Sequence, residues 1–169
     1  NISFPEEDRT GQDELFKELL GQGVVISHFP STQTDGRAAY TTGIVEVGGR
    51  AIPYIPNYSG IAANIGEYER RASGIGIANT TPEIDGVVRR LPLLMRVGEE
   101  VFPSIAMETI RVATGDPSYQ VKTQEGGIAA MRVPSYPTIK TDTFGRIWLR
   151  YNTDFPTLSA TAGEYNSLA

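Results

Sequence analysis

Cysteine is absent from the 169 residues and histidine occurs once, as His28. The first absence excludes disulfides and thiolate chemistry, and the second leaves little material for a zinc site. A lack of cysteine suits an oxidising compartment without requiring one. Long apolar runs are also missing. Stretches such as Gly23-Val24-Val25-Ile26 and Leu93-Leu94-Met95 fall far short of the roughly 20 residues that a membrane-spanning helix needs. No basic and apolar leader opens the chain at Asn1-Ile2-Ser3-Phe4, so any signal or anchor segment is expected outside it. Positive charge is the minority: 15 Lys and Arg stand against 20 Asp and Glu, for a formal charge of −5. Such a field repels polyphosphate and argues against a nucleic-acid partner.

What remains is an ordinary globular composition, 40% hydrophobic, with 18 glycines and 11 prolines marking many turns. A chain of this length buries about two-thirds of its unfolded surface in one core, so a single domain over residues 1–169 is expected, with an irregular tail at 152–169. No internal repeat or low-complexity tract interrupts it.

Leu15, Phe16, Leu19 and Leu20 define one apolar face of a short helix over residues 13–20, which Gly21 and Gly23 end. Residues 23–29 are rich in β-branched side chains and bounded by glycine and proline, which predicts a buried strand. A helix feeding such a strand through a short glycine link is half of an α/β unit. Residues 39–47 read as a strand entering a Gly48-Gly49 turn, with 50–56 continuing as an edge or extended loop because of Pro53 and Pro56. Residues 61–71 read as a short helix and 73–78 as a strand. Residues 87–97 and 101–102 form a meander or hairpin about Gly98. A helix follows at 105–114, with apolar positions at 105, 106, 109/110 and 113 and a stop at Gly115-Asp116-Pro117. Short strands are expected at 119–122, 128–133 and 146–151. The fold class is therefore α/β, with α+β as the alternative: a mixed sheet flanked by helices.

Several motifs carry two readings. Gly74-Ile75-Gly76 suggests a phosphate-cradling turn, but no third glycine and no following helix accompany it, and close backbone packing in a strand fits better. Ser104 follows a proline at a helix start, where a hydroxyl caps free N–H groups; as a nucleophile it would need a base, and His28 is remote in sequence. His28 itself reads as a packed or edge-strand residue. In Asp85-Gly86-Val87-Val88-Arg89-Arg90, alternation along a strand turns one arginine inward, with Asp85, Asp142 or Glu108 as its partner. That arrangement serves either a salt bridge fixing the turn or an anion-binding pocket. The acidic cluster Glu6, Glu7, Asp8 and Asp13 suits a helix dipole or, less well, a divalent cation. Tyr54, Tyr58 and Tyr68, among Pro53, Pro56 and Asn57, either line a small-ligand cleft or pack as half-buried rings.

The run Asp85-Gly86-Val87-Val88-Arg89-Arg90-Leu91-Pro92-Leu93-Leu94, then Gly98, Phe102-Pro103-Ser104-Ile105-Ala106-Met107-Glu108 and Arg111-Val112-Ala113-Thr114-Gly115, resembles the type-two CHASE domain, the cyclase/histidine kinase-associated sensory extracellular domain. Phe4-x-Glu-x-Asp8 with Gln12-Asp13, and Thr141-Asp142-x-x-Gly145-Arg146, extend the match. The resemblance implies an α/β sensory module on the outer side of the bacterial cytoplasmic membrane. It implies one transmembrane helix before the module and several after, coupled to an adenylate or diguanylate cyclase, a histidine kinase or a protein kinase. The family commonly carries a further strand and helix before this segment and a strand after it, so the sheet is expected to be incomplete at both ends.

Asp85, Gly86, Arg89, Arg90, Ser104, Asp142 and Gly145 are the ligand-proximal or architectural candidates, with no catalytic residue, metal or cofactor expected. The expected partner is a small ligand or a periplasmic protein, with a homodimer as a further option. The competing functions are a dimerisation spacer between membrane helices and a periplasmic hydrolase, which would require a nucleophile–base pair or metal cluster.

Overall fold

A computed structural model describes residues 13–32, 42–152 and 154. Helix α1 (Asp13–Leu20) forms where expected, and Gly23 follows it at φ 84°, a left-handed conformation that glycine adopts freely. Of its four apolar positions only Phe16 and Leu20 pack inward, while Leu15 and Leu19 are exposed. The buried line runs instead through Phe16, Lys17 and Leu20. Lys17 reaches Glu14 at 2.8 Å and Glu67 at 3.0 Å, and both carboxylates raise its pKa.

Strand β1 (Val25–Ser31) is the centre of a three-stranded sheet. It runs parallel to β5 (Gly74–Ile77), with Ile26 opposite Ile75 and His28 opposite Ile77. On its other side it runs antiparallel to β4 (Gly60–Ala62). The helix expected over residues 61–71 is thus two elements, β4 and the short α2 (Gly66–Arg71), because Ile61 is drawn into the sheet. Phe16 of α1 meets Tyr68 of α2 edge-on at 5.3 Å, closing a small core with Leu20, Ile26 and Ile75.

The largest core lies under a four-stranded sheet ordered β11-β10-β9-β2. Strand β2 (Ile44–Val47) does not form a hairpin with the residues after Gly48-Gly49; it runs parallel to β9 (Tyr119–Gln124), and the chain beyond the turn makes a single 3₁₀ turn at Ile52–Tyr54. Strand β10 (Gly127–Arg132) pairs antiparallel with β9 and with the short β11 (Ile139–Lys140), a strand the sequence reading lacks. A third sheet joins β3 (Asn57–Tyr58), β7 (Leu94–Val97) and β8 (Glu100–Pro103), the last two as the expected hairpin. Strand β6 (Arg90–Pro92) pairs with β12 (Arg146–Trp148) in a two-stranded ribbon, and β12 ends three residues before the expected 151.

Helix α3 (Ile105–Thr114) lies across β5 and β1. Its start is capped by Ser104, whose Oγ accepts from the Met107 N–H at 3.4 Å, and its end by Gly115 at φ 72°. The buried face differs from the expected one. Met107, Glu108 and Arg111 point inward, whereas Ala106 and Ala113 are exposed. That face rests on the glycine pair beneath. A Cβ at Gly76 would stand 2.4 Å from Ile105 Cα, and one at Gly74 would stand 2.4 Å from Glu108 Oε1. Gly74-x-Gly76 is therefore the close-packing motif, letting the helix backbone settle on the strand. The result is a mixed α/β architecture of several sheets with three helices among the described residues.

Candidate functional site

The loop between β5 and β6 carries Asp85, Gly86 and Arg89, and Arg90 opens β6. At Glu83 to Val87 it closes a tight turn, with Gly86 N–H donating to Glu83 O at 2.8 Å and Glu83 N–H to Val87 O at 3.0 Å. Gly86 takes φ 80°, which explains glycine there. Asp85 Oδ1 accepts from Val87 N–H, and its carboxylate takes a two-point bond from Arg89 at 2.9 and 2.7 Å. The Arg89 guanidinium and the Val87 amide hold the Asp85 carboxyl below its ordinary pKa, and Asp85 raises that of Arg89.

Neither Arg89 nor Arg90 enters the core, so the inward arginine expected from strand alternation is not found at this position. Residues 87–89 lie outside the regular strand, and strict alternation does not govern them. The buried guanidinium belongs instead to Arg111, and Glu108, proposed above as a partner for the loop arginines, pairs with it. Asp85 does pair with Arg89, and Asp142 comes within 3.8 Å of Arg90.

Asp142 organises the turn into β12. Its Oδ1 accepts from the N–H groups of Phe144 and Arg146 at 3.0 and 2.9 Å, and its Oδ2 from Arg146 Nε at 2.8 Å. Gly145 supplies φ 71° in the same turn, and its carbonyl accepts from Leu93 N–H. Strand β12 then sets Trp148 opposite Arg90, whose guanidinium stacks 5.4 Å above the indole. Arg146 stacks similarly on Phe144 at 5.1 Å.

These elements frame an open cleft of about 580 Å³. One wall is Pro56 to Tyr58, where β3 begins; the second is Thr81 to Ile84; the floor comes from Arg90 and Pro92 of β6 and Arg146 of β12. Tyr58 Oη accepts from Asn79 Nδ2 at 2.6 Å and lies 3.4 Å from Thr81 Oγ1. Arg90 Nε donates to Glu83 at 2.8 Å. Of the three tyrosines considered, Tyr58 alone lines this cleft; Tyr54 packs on the main core and Tyr68 on the α1–α2 core.

Of the seven candidates, Arg90 lines the cleft, Asp142 positions Arg146 at it, and Asp85, Gly86, Arg89 and Gly145 shape the neighbouring turns. Ser104 lies elsewhere, buried as the α3 cap. The structure adds Tyr58, Thr81, Glu83 and Arg146 to one wall system. Only Tyr58 had a sequence signal as a cleft residue, through its proline-rich surroundings. Arg146 was legible as part of the Asp142 turn but not as a neighbour of Arg90, a contact that needs the β6–β12 pairing.

Outside the cleft, His28, Glu69 and Asn64 form a buried polar group. His28 Nε2 lies 2.5 Å from Glu69 Oε1, which also accepts from Asn64 N–H at 3.0 Å. His28 is packed in the central strand rather than at an edge. Register places His28 beside Ile77, and Ile77 bridges to Ser104, yet the Ser104 hydroxyl serves Met107 and the His28 ring serves Glu69. Both side chains are sealed from solvent. Glu6, Glu7 and Asp8, read above as a dipole or cation cluster, lie outside the described residues.

No helix among the described residues is long and apolar enough to cross a membrane. No curated protein and no solved structure matches the chain. The sequence model of the CHASE2 domain matches residues 1–163, nearly the whole chain, in agreement with the turn and helix landmarks at Asp85 to Gly115 and Asp142 to Arg146. The chain belongs to the CHASE2 family, extracellular sensory domains of signalling receptors.

Proposed function

We propose that this chain is the signal-input domain of a bacterial transmembrane receptor, lying on the outer side of the cytoplasmic membrane and controlling a cytoplasmic cyclase or kinase. Its task is to bind a small molecule and not to transform one. The observation that carries the reading, beside family membership, is the cleft of about 580 Å³ between Tyr58, Thr81 to Ile84, Arg90 and Arg146. Its size falls in the range of small-ligand sites, and its walls combine prolines with a few polar groups, as such sites do. Ser104 and His28, buried and bonded elsewhere, support the non-catalytic reading over the hydrolase.

A ligand acts on output only through its unequal affinity for two arrangements of the domain. The cleft is suited to that role because its walls come from separate segments. Residues 56–58 belong to the β3-β7-β8 sheet, whereas Arg90 and Arg146 belong to the β6–β12 ribbon. A ligand bridging them would set the angle between the two.

The test is to fill the cleft. Thr81→Trp in the full-length receptor should leave the domain folded and fix the output at one level, whatever the growth medium. A receptor that still responds to its medium as the wild type does would contradict the proposal.

A further inference from the structure

Arg90 and Arg146 share an unusual arrangement. Each donates its Nε to a carboxylate, Arg90 to Glu83 and Arg146 to Asp142, both at 2.8 Å. Each plane is further held by an aromatic ring, Trp148 under Arg90 and Phe144 under Arg146. The terminal nitrogens are a different matter. None of the four Nη atoms makes a hydrogen bond among the described residues; Arg90 Nη1 stands 3.8 Å from Asp142 Oδ2, an ion-pair distance. Both side chains are about 30% exposed or less, at 30% and 27%, and both line the cleft.

A guanidinium fixed through Nε and stacked on a ring has lost its freedom before any ligand arrives, and its two Nη groups form a fork that matches a carboxylate. Two such forks in one cleft are a prepared oxyanion site. Arg89 is unlike them, since its donors are already spent on both oxygens of Asp85.

Charge narrows the choice. Arg90 and Arg146 are balanced by Glu83 and Asp142, so the group is neutral when empty and offers local donors without a net positive field, which suits a ligand of low charge better than a dianion. Beside Asn57, Tyr58 and Thr81, the remaining lining is apolar: Pro56, Pro82 and Pro92, with Ile84 wholly exposed at the rim. Ile84 and the three prolines give a bound body an apolar surface to rest on. Tyr58 Oη, which accepts from Asn79, shares a 3.4 Å hydrogen bond with Thr81 Oγ1 on the same lining.

We infer that the cleft recognises a small organic monocarboxylate, its carboxylate held by the Nη groups of Arg90 and Arg146 and its body resting on Pro56, Pro82 and Ile84. This rests on the cleft being the ligand site.

Titration calorimetry on the full chain with lactate and benzoate, against lactamide, benzamide and inorganic phosphate, tests it. The acids should bind saturably, with the amides and phosphate roughly tenfold weaker or more, the loss expected for one charge-assisted contact. Arg146→Gln and Arg90→Gln should weaken the acids by a similar factor and leave the amides unchanged, while Arg50→Gln, on an exposed residue paired with Glu99, should change nothing. Amides that bind as tightly as acids, or acids that do not bind, overturn the assignment. Amide resonance shifts separate that failure from a deeper one. Neutral probes that perturb Tyr58 and Thr81 leave the cleft as the ligand site with the wrong chemistry; probes that perturb neither remove both readings.

Discussion

Glu108 and Arg111 lie one turn apart on α3 and meet in a two-point ion pair, Nη2 to Oε1 at 2.7 Å and Nε to Oε2 at 2.9 Å. Tyr119 Oη donates to the same Glu108 oxygen, and Arg111 reaches on to the carbonyls of Asp116 and Ser73. The knot ties α3 to the loop before β5 and to the start of β9, so it joins the three-stranded sheet to the four-stranded one.

Removing one partner leaves a buried charge uncompensated. Arg111→Ala should therefore lose about 3–5 kcal/mol of stability. The double change Glu108→Leu with Arg111→Met should lose less, since it removes both desolvated charges together. Urea unfolding of the three proteins gives the comparison.

Gly76→Ala should destabilise through overpacking, by about 1–3 kcal/mol, because the new methyl would meet the Ile105 backbone, which cannot turn aside. Gly74→Ala meets side-chain atoms of Glu108 and Val112, and it should also disturb the ion pair. Melting temperatures of the two variants measure the first effect, and the double change with Arg111→Met shows whether Gly74 acts through the pair.

Stability should fall at both ends of the pH scale, for separate reasons. Asp116 is held below its ordinary pKa of 3.8 chiefly by the Thr114 hydroxyl, then by the Ser135 N–H and hydroxyl and by Arg111. A depressed folded value means that its contribution is complete above the unfolded pKa and is lost as pH drops through the lower folded one. Tyr119 is raised above 10.0, first by burial and then by Glu108. Its contribution is complete below the unfolded value and disappears as pH climbs beyond it. Asp116→Asn should flatten the acid limb alone and Tyr119→Phe the alkaline limb alone, as read by melting temperature across pH.

Asp142 and Asp85 both close turns, but with unequal consequence. Asp142→Ala should cost about 1–2 kcal/mol, since two backbone N–H groups and Arg146 Nε lose their acceptor. Arg89→Ala, at an exposed pair, should shift the melting temperature little. Equal shifts would show that the Asp142 turn adds no more to stability than the exposed Asp85–Arg89 pair.

The local devices were legible in the sequence. Ser104 at a helix start, Gly115 at its end, the Gly98 hairpin and the glycine pair at 74 and 76 each follow from short-range chemistry, and each is found. What depends on partners distant in sequence was not. Nothing near Ile44 reveals that β2 will run parallel to β9, and nothing near Arg90 reveals Arg146. The inward faces of α1 and α3 were misjudged for a related reason: hydrophobic spacing favoured Leu15 and Ala113, whereas ion pairs made by Lys17 and Arg111 let polar residues occupy the inner face. The cleft was glimpsed through Tyr58 and Arg90 but not assembled, because its lining comes from four separated stretches.

Because the chain has no cysteine, a single introduced thiol reports on one place in it. The most direct measurement puts cysteine at Thr81, inside the cleft, or at exposed Glu99, in the full-length receptor, and treats intact cells with a bulky maleimide that cannot cross membranes. Both sites should be labelled from outside, with receptor output changed by modification at Thr81→Cys and unchanged at Glu99→Cys. Labelling that requires broken cells, or output indifferent to a blocked cleft, would contradict the account.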